Sequence, residues 1–170
     1  MKGFIDVNPV NIKENSIDMI GNQWMLITAG VPESYNTMTA SWGGLGMLWN
    51  KPVVFIFVRP QRYTFKFIEQ NEKFSCCFFD EEYRNALRFC GSHSGRDHDK
   101  AGETGLTPMK SASGCVVFSE SRLILECNKI YFQDLKPEGF LSPAIEKNYP
   151  VRDYHRMYIG EITSCRLKDK

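Results

Sequence analysis

The chain has 170 residues, 42% of them hydrophobic, with 21 Lys and Arg against 20 Asp and Glu; that length predicts one domain over residues 1–170. Near-neutral charge excludes the broad electrostatic field that gathers nucleic acid or anionic lipid. The opening Met1-Lys2-Gly3-Phe4-Ile5-Asp6 lacks the apolar stretch of a secretory signal, and the apolar run Val53 to Val58 is too short to span a bilayer, which predicts a cytoplasmic location away from membranes. The 6 cysteines fall singly or as the adjacent pair Cys76-Cys77, with no Cys-x-x-Cys spacing, so reduced core thiols are expected. On a strand the adjacent pair would point to opposite faces.

In chain order, Trp24 to Gly30 reads as a strand, Val31-Pro32-Glu33-Ser34 as a turn, and Tyr35 to Ser41 as the second arm of a hairpin. Val53 to Val58 is β-branched and aromatic throughout, a strand covered on both faces. Thr64 is placed to cap a short helix to Gln70, and Phe74 to Phe79 is a strand. Asp80 should cap a second helix that carries Glu81 and Glu82 in its first turn, shows Tyr83, Ala86, Leu87 and Cys90 on its apolar side, and stops at Gly91. Ser92 to Met109 is polar and aperiodic apart from one helical turn near Asp97 to Glu103, and is expected on the surface. Cys115 to Phe118, Arg122 to Phe132 and Arg156 to Arg166 complete the strands, with a helical turn at Ala144 to Asn148 inside a connection punctuated by Gly139, Pro143 and Pro150. This strand set predicts a mainly β fold with short peripheral helices and a closed antiparallel sheet.

Chemistry concentrates in a few places. Arg59-Pro60-Gln61-Arg62-Tyr63-Thr64 puts 2 guanidinium groups and a helix start directly after the buried strand; forked cations and free N–H groups are what a phosphate needs. The plainer alternative is a pair of solvated loop arginines. Thr39-Ala40-Ser41-Trp42-Gly43 offers hydroxyls, close backbone approach and an aromatic plate for a flat ring system, or else a core plug and a turn.

Gly91-Ser92-His93-Ser94-Gly95-Arg96-Asp97-His98-Asp99-Lys100 is either an anion-wrapping loop or a hydrophilic one in which Asp97 and Asp99 pair with Arg96 and Lys100. It is no P-loop, Gly43-Gly44-Leu45-Gly46 is no dinucleotide fingerprint, and no third ligand cluster accompanies the histidines to hold a metal. A Ser nucleophile elbow is missing as well. His155 either titrates near a site or bonds a backbone carbonyl. With little sign of an acid and base pair, the chemistry is better assigned to a bound cofactor.

Together, Asn36 to Gly43, Arg59 to Thr64, Ser92 to Lys100 and His155 through Glu161 resemble the flavin reductase-like family of FMN-binding split barrels, and its flavoredoxin members most closely. The resemblance implies a split β-barrel homodimer with FMN near the subunit interface. It implies that Thr39, Ala40, Ser41 and Trp42 border the flavin ring and ribityl chain, that Arg59, Arg62, Tyr63 and Thr64 lie towards the phosphate, and that Ser92, Ser94 and Lys100 close the phosphate end. His155 would act at the flavin edge or on the donor, since His155, Gly160 and Ile162 match a family-like spacing. The implied activity is an FMN-dependent oxidoreductase drawing electrons from a reduced nicotinamide; the alternatives are an electron carrier served by redox protein partners, and a ligand-free structural barrel.

Overall fold

A computed structural model describes residues 3–169. Its main sheet is antiparallel and is built from β1 (Phe4–Asp6), β2 (Met25–Val31), β3 (Ser34–Ala40), β4 (Gly43–Leu48), β5 (Lys51–Val58), β6 (Lys73–Phe78), β9 (Leu123–Asp134) and β10 (Arg156–Lys168), while β7 (Pro108–Lys110) and β8 (Val116–Phe118) form a separate hairpin. The helices are short: α1 (Ser16–Asp18), α2 (Tyr63–Gln70), α3 (Arg84–Ser92) and α4 (Lys100–Thr104). None of the described helices is long and apolar enough to cross a membrane.

The strand path runs β3-β2-β6-β9-β10-β5-β4, with β1 on the far end of β10. The expected closure does not occur, because β3 and β4 end the path without pairing. These two edges are nevertheless consecutive in the chain and are joined by Ser41 and Trp42 alone, so the sheet rolls into a barrel that is split along one side.

Alternation along the strands sorts the side chains into two cores. Met25, Ile27, Cys76, Leu125 and Cys127 face one cluster, which α2 covers through Ile68. Leu26, Cys77 and Ile124 face the other, which α3, α4 and the β7–β8 hairpin cover through Leu87, Ala101 and Val117. Cys76 and Cys77 therefore point to opposite faces, and all six cysteines are buried and free.

Several boundaries differ from expectation. The hairpin of β4 and β5 turns through Trp49 and Asn50, both at positive φ (51° and 59°), a two-residue turn of the kind that matches strand twist. Helix α2 starts two residues early, with Arg62 in place of Thr64 at its cap position and no capping side chain. Thr64 instead is fully buried, and its hydroxyl accepts a hydrogen bond from Asn36 Nδ2 at 2.6 Å. Asp80 opens a 3-10 turn over Glu81–Tyr83 without a side-chain cap bond, and α3 continues through Gly91 to Ser92. The 92–109 segment is not wholly superficial, since Lys100, Ala101 and Leu106 are buried.

Candidate functional site

Two adjoining clefts lie where the split edge, the end of β5 and the start of α2 meet. One, of about 320 Å³, is lined by Thr39, Ala40, Ser41 and Trp42 from the seam between β3 and β4, by Phe57 and Arg59 from β5 and its exit, and by His155 before β10. The other, of about 170 Å³, is lined by Tyr63 and Thr64 of α2, by Ser92, Ser94, Gly95 and Arg96 after α3, and by Lys100. Met38, Gln61 and Arg62 line both. Residues more than 100 positions apart in sequence thus meet at one end of the barrel.

Three aromatic rings, those of Trp42, Phe57 and His155, line the first cleft. Trp42 is 46% exposed and its ring lies 5.1 Å from that of His155, which also meets Phe57 edge-on at 6.5 Å. Tyr149 Oη is 2.9 Å from His155 Nδ1. Burial, and after it the charge of Arg59, pushes the imidazole down to about 4 against the opposing pull of Asp153, so His155 is neutral at pH 7.

Arg59 belongs to this first cleft and not to the second, contrary to its grouping with Arg62, Tyr63 and Thr64. Its Nη1 donates to Asp153 Oδ2 at 2.8 Å and its Nη2 to the Asn148 carbonyl at 2.8 Å, and its guanidinium sits 5.2 Å over the Tyr149 ring. Gln61 also donates to Asp153 Oδ2. Burial works to raise the Asp153 carboxyl, but these donors hold it below the usual carboxylate range. Asp153 and Tyr149, which the sequence reading passed over, thus fix one wall of the cleft; a lone Asp in an irregular connection carries no signal that it will meet an arginine 94 residues earlier.

The second cleft is electropositive and contains no carboxylate among its lining residues. Arg62 Nη2 donates to the Gly91 carbonyl at 2.8 Å, and no ion pair to Arg62, Arg96 or Lys100 exists among the described residues. The pairing of Asp97 and Asp99 with Arg96 and Lys100 is therefore not formed. Asp99 caps α4 by accepting from the Gly102 amide, and Arg96 lies 4.8 Å over the Tyr63 ring. Lys100, 7% exposed, donates to the carbonyls of Thr37 and Cys90, each at 2.8 Å. Burial pushes its ammonium down to about 8, with Cys90 opposing and Arg62 adding to the fall; burial and Arg59 lower Arg62 likewise. Two crowded cations without a counter-charge are the electrostatic complement of an anion.

The start of α2 adds to this, because no side chain caps its first turn and Tyr63 and Thr64 of that turn line the same cleft. That loop approaches β3 so closely that a Cβ on Gly95 would fall 1.8 Å from Asn36 Oδ1. The serines are partly committed: Ser92 Oγ donates to the Arg88 carbonyl at 2.9 Å, and Ser94 Oγ accepts from the Arg96 amide at 3.2 Å, which leaves the Ser94 hydroxyl proton free.

The comparisons with known proteins bear on the family and the fold. Residues 18–170 match the family described as flavin reductase like domain. Among solved structures, the chain is similar to an FMN-binding domain of a flavin reductases-like enzyme from Shewanella baltica (TM-score 0.70, 17% identity, covering 97% of this chain and 77% of that one). It is similar also to flavoredoxin from Methanosarcina acetivorans (0.67, 21%, 97% and 75%) and to an NADH:FAD oxidoreductase from Streptomyces globisporus, solved with NAD and FAD fragments (0.64, 16%, 85% and 74%). At these identities the likeness is one of fold. No curated protein matches the sequence significantly. A family match over nine-tenths of the length, on a split barrel that these structures share, leaves one assignment: the chain belongs to the flavin reductase-like domain family.

Proposed function

We propose that this protein is an FMN-binding oxidoreductase of the NAD(P)H-dependent flavin reductase or flavoredoxin type, working as a cytoplasmic homodimer with the flavin near the subunit interface. One observation carries the reading: an aromatic, hydroxyl-lined cleft and a carboxylate-free cationic cleft join through Met38, Gln61 and Arg62. A flat ring with a phosphate at the far end of a polyol has that shape and charge. The donor set fits a phosphomonoester, since Arg62, Lys100, the Ser94 hydroxyl and the uncapped start of α2 at Tyr63 and Thr64 are all donors with no internal anion to satisfy them.

Bound FMN would supply reversible hydride and single-electron chemistry. The chain's own part is to hold and tune it. Thr39, Ala40, Ser41 and the amides beyond them would border the ring and offer hydrogen bonds to negative charge that builds there. Trp42 would shield one side while its exposure keeps an approach open for a donor. Neutral His155, oriented by Tyr149, offers a polar but uncharged contact at the ring edge, and Arg59 braces the wall behind it through Asp153.

The test begins with the visible spectrum of the purified protein with and without added FMN. A yellow protein, or stoichiometric uptake of FMN by a colourless one, is expected; a protein that stays colourless with FMN present is the ligand-free barrel. Anaerobic mixing with NADH or NADPH then separates the activities, since rapid bleaching identifies a reductase and bleaching only by a reduced protein donor identifies a carrier.

A further inference from the structure

Two lysines of this chain have their ammonium lowered by burial, and their surroundings differ. Lys129 donates to the Ile68 carbonyl at 2.6 Å and lies 5.8 Å from the centre of the Tyr158 ring. Glu69 and Glu72 oppose the effect of burial on it, so its charge has carboxylates nearby. Lys100 has none to draw on. It lines the carboxylate-free cationic cleft with Arg62, Ser94 and Arg96, and Asp99, the residue before it, is spent on the Gly102 amide. The titratable groups that act on it are Cys90 of α3, a thiol that burial raises to about 11, and Arg62.

The arrangement at Lys100 Nζ is directional. An ammonium carries three N–H groups, and Lys100 spends two of them on the carbonyls of Thr37 and Cys90, each at 2.8 Å. The third has no partner among the described residues, on a side chain that borders the cleft. The proton that leaves is therefore the third, and the lone pair it uncovers faces the cleft. With the ammonium lowered to about 8 from an ordinary 10.5, the free amine near neutral pH exceeds that of an ordinary lysine by a factor on the order of 100. Desolvation beside another cation is how a lysine amine becomes a nucleophile, and here the nucleophile stands at the wall of a seat for phosphate.

We propose that Lys100 is a modification site for acyl phosphates: the phosphoryl group sits in the cationic cleft with Arg62 and the Ser94 hydroxyl, and Nζ takes the acyl group. The lone pair of the neutral amine attacks the carbonyl carbon, the N–C bond forms, and the bond from that carbon to the bridging oxygen breaks. Inorganic phosphate leaves with the electron pair of the broken bond and carries off one amine proton, so no oxidant or further reactant is needed. The amide that results is uncharged and keeps a single N–H. One of the two carbonyls thereby loses its donor and the cleft loses a cation, which weakens its hold on an anion. The inference rests on the anionic reading of this cleft and holds whether or not that anion is FMN.

The test incubates the full chain, stripped of any flavin it carries, with acetyl phosphate and follows each lysine by peptide mass spectrometry. Lys100 should be acetylated at least tenfold faster than exposed Lys66 and than Lys129, with a rate that saturates in acetyl phosphate and falls at least fivefold in excess inorganic phosphate. Arg62→Ala should slow Lys100 at least fivefold while Lys66 and the far-ultraviolet circular dichroism stay unchanged. A Lys100 no faster than Lys66, or a rate indifferent to both phosphate and Arg62→Ala, overturns the site. An acetylating ester without phosphate should shrink the lead of Lys100 at least fivefold; an undiminished lead describes an amine that reacts without any seat for phosphate, and overturns it too.

Two further arms separate this site from the flavin reading. Excess FMN should slow acetylation of Lys100 at least tenfold, and the acetylated chain should bind FMN at least fivefold more weakly; equal affinity after full acetylation would put Lys100 outside the anion end and overturn its role there. If inorganic phosphate protects Lys100 and FMN does not, the flavin reading fails and the site stands. If FMN binds and acetyl phosphate leaves Lys100 unmodified, the site falls and the flavin reading stands.

Discussion

Two arginine-bearing clefts on this barrel differ in what their charges meet: Glu14, Asp80 and Glu81 line one, and no carboxylate lines the other. In the cleft beside β9, Arg122 reaches Glu14 at 2.5 Å, Gln23 at 2.5 Å and the Phe79 carbonyl at 3.2 Å, and Arg84 is tied to Glu81, to the Asn22 carbonyl and to the face of Trp24. Every guanidinium there is answered from within the protein. At the end of β5, Arg62 spends one bond on the Gly91 carbonyl, Arg96 lies on an aromatic ring, and buried Lys100 has two carbonyls for company. The first cleft is a clamp that fastens the segment before β2 to the sheet, and the second carries charge that no carboxylate among its lining residues answers.

The sharpest way to break that contrast is to truncate one arginine from each cleft. Arg62→Ala should weaken FMN binding by about 10- to 100-fold, since a charge-assisted bond is worth about 1.5 to 3 kcal/mol, and should leave the urea midpoint almost unmoved. Arg122→Ala should do the reverse, lowering unfolding free energy by about 1 to 3 kcal/mol through the partners it strands while FMN affinity stays within about twofold. Fluorescence titration and urea unfolding of both variants decide it, and equal loss of FMN affinity in the two would dissolve the distinction.

A pH series gives a smaller effect. Lys100 in the folded chain falls to about 8 from an ordinary 10.5, so the unfolded state holds the extra proton between those values and ligand-free stability should rise as pH climbs from about 8 towards 10.5. FMN affinity should move the other way, falling at least about threefold above pH 8 as the ammonium loses its charge while the phosphate remains a dianion. Lys100→Gln should flatten that fall; an unchanged slope would remove Lys100 from the anion end. Ser92→Ala should have the smallest effect, within about twofold on FMN affinity, because that hydroxyl is engaged by the Arg88 carbonyl.

The core strands were readable because burial imposes a pattern on them. Leu123 to Leu125 is apolar because both faces are covered, whereas Val53 to Val58, expected to be covered on both, buries Val54, Ile56 and Val58 on one face and leaves Phe55 and Phe57 half-buried on the other; Leu26–Ile27 and Cys76–Cys77 divide between two cores as alternation requires. Strand β4 was not readable, since Gly43-Gly44-Leu45-Gly46 has the composition of a turn, and only its register against β5 makes it a strand. Within the candidate site, residue types were legible and directions were not. Arg59 and Arg62 look equivalent in sequence, but Asp153 draws one to the ring end and Gly91 draws the other to the junction. Lys100 reads as a surface lysine until Thr37, 63 positions earlier, supplies the carbonyl that buries it.

The link between β3 and β4 has a mechanical consequence. Two residues, Ser41 and Trp42, are all that ties the free margins of the rolled sheet together, and the next residue admits no side chain, since a Cβ on Gly43 would meet the Phe55 carbonyl at 2.7 Å. A hoop fastened by so short a hasp transmits any spreading of its rim straight to the cleft that Ser41 and Trp42 line. Occupancy should accordingly be felt as girth, with amides far around the hoop exchanging more slowly with deuterium once the hasp is held shut.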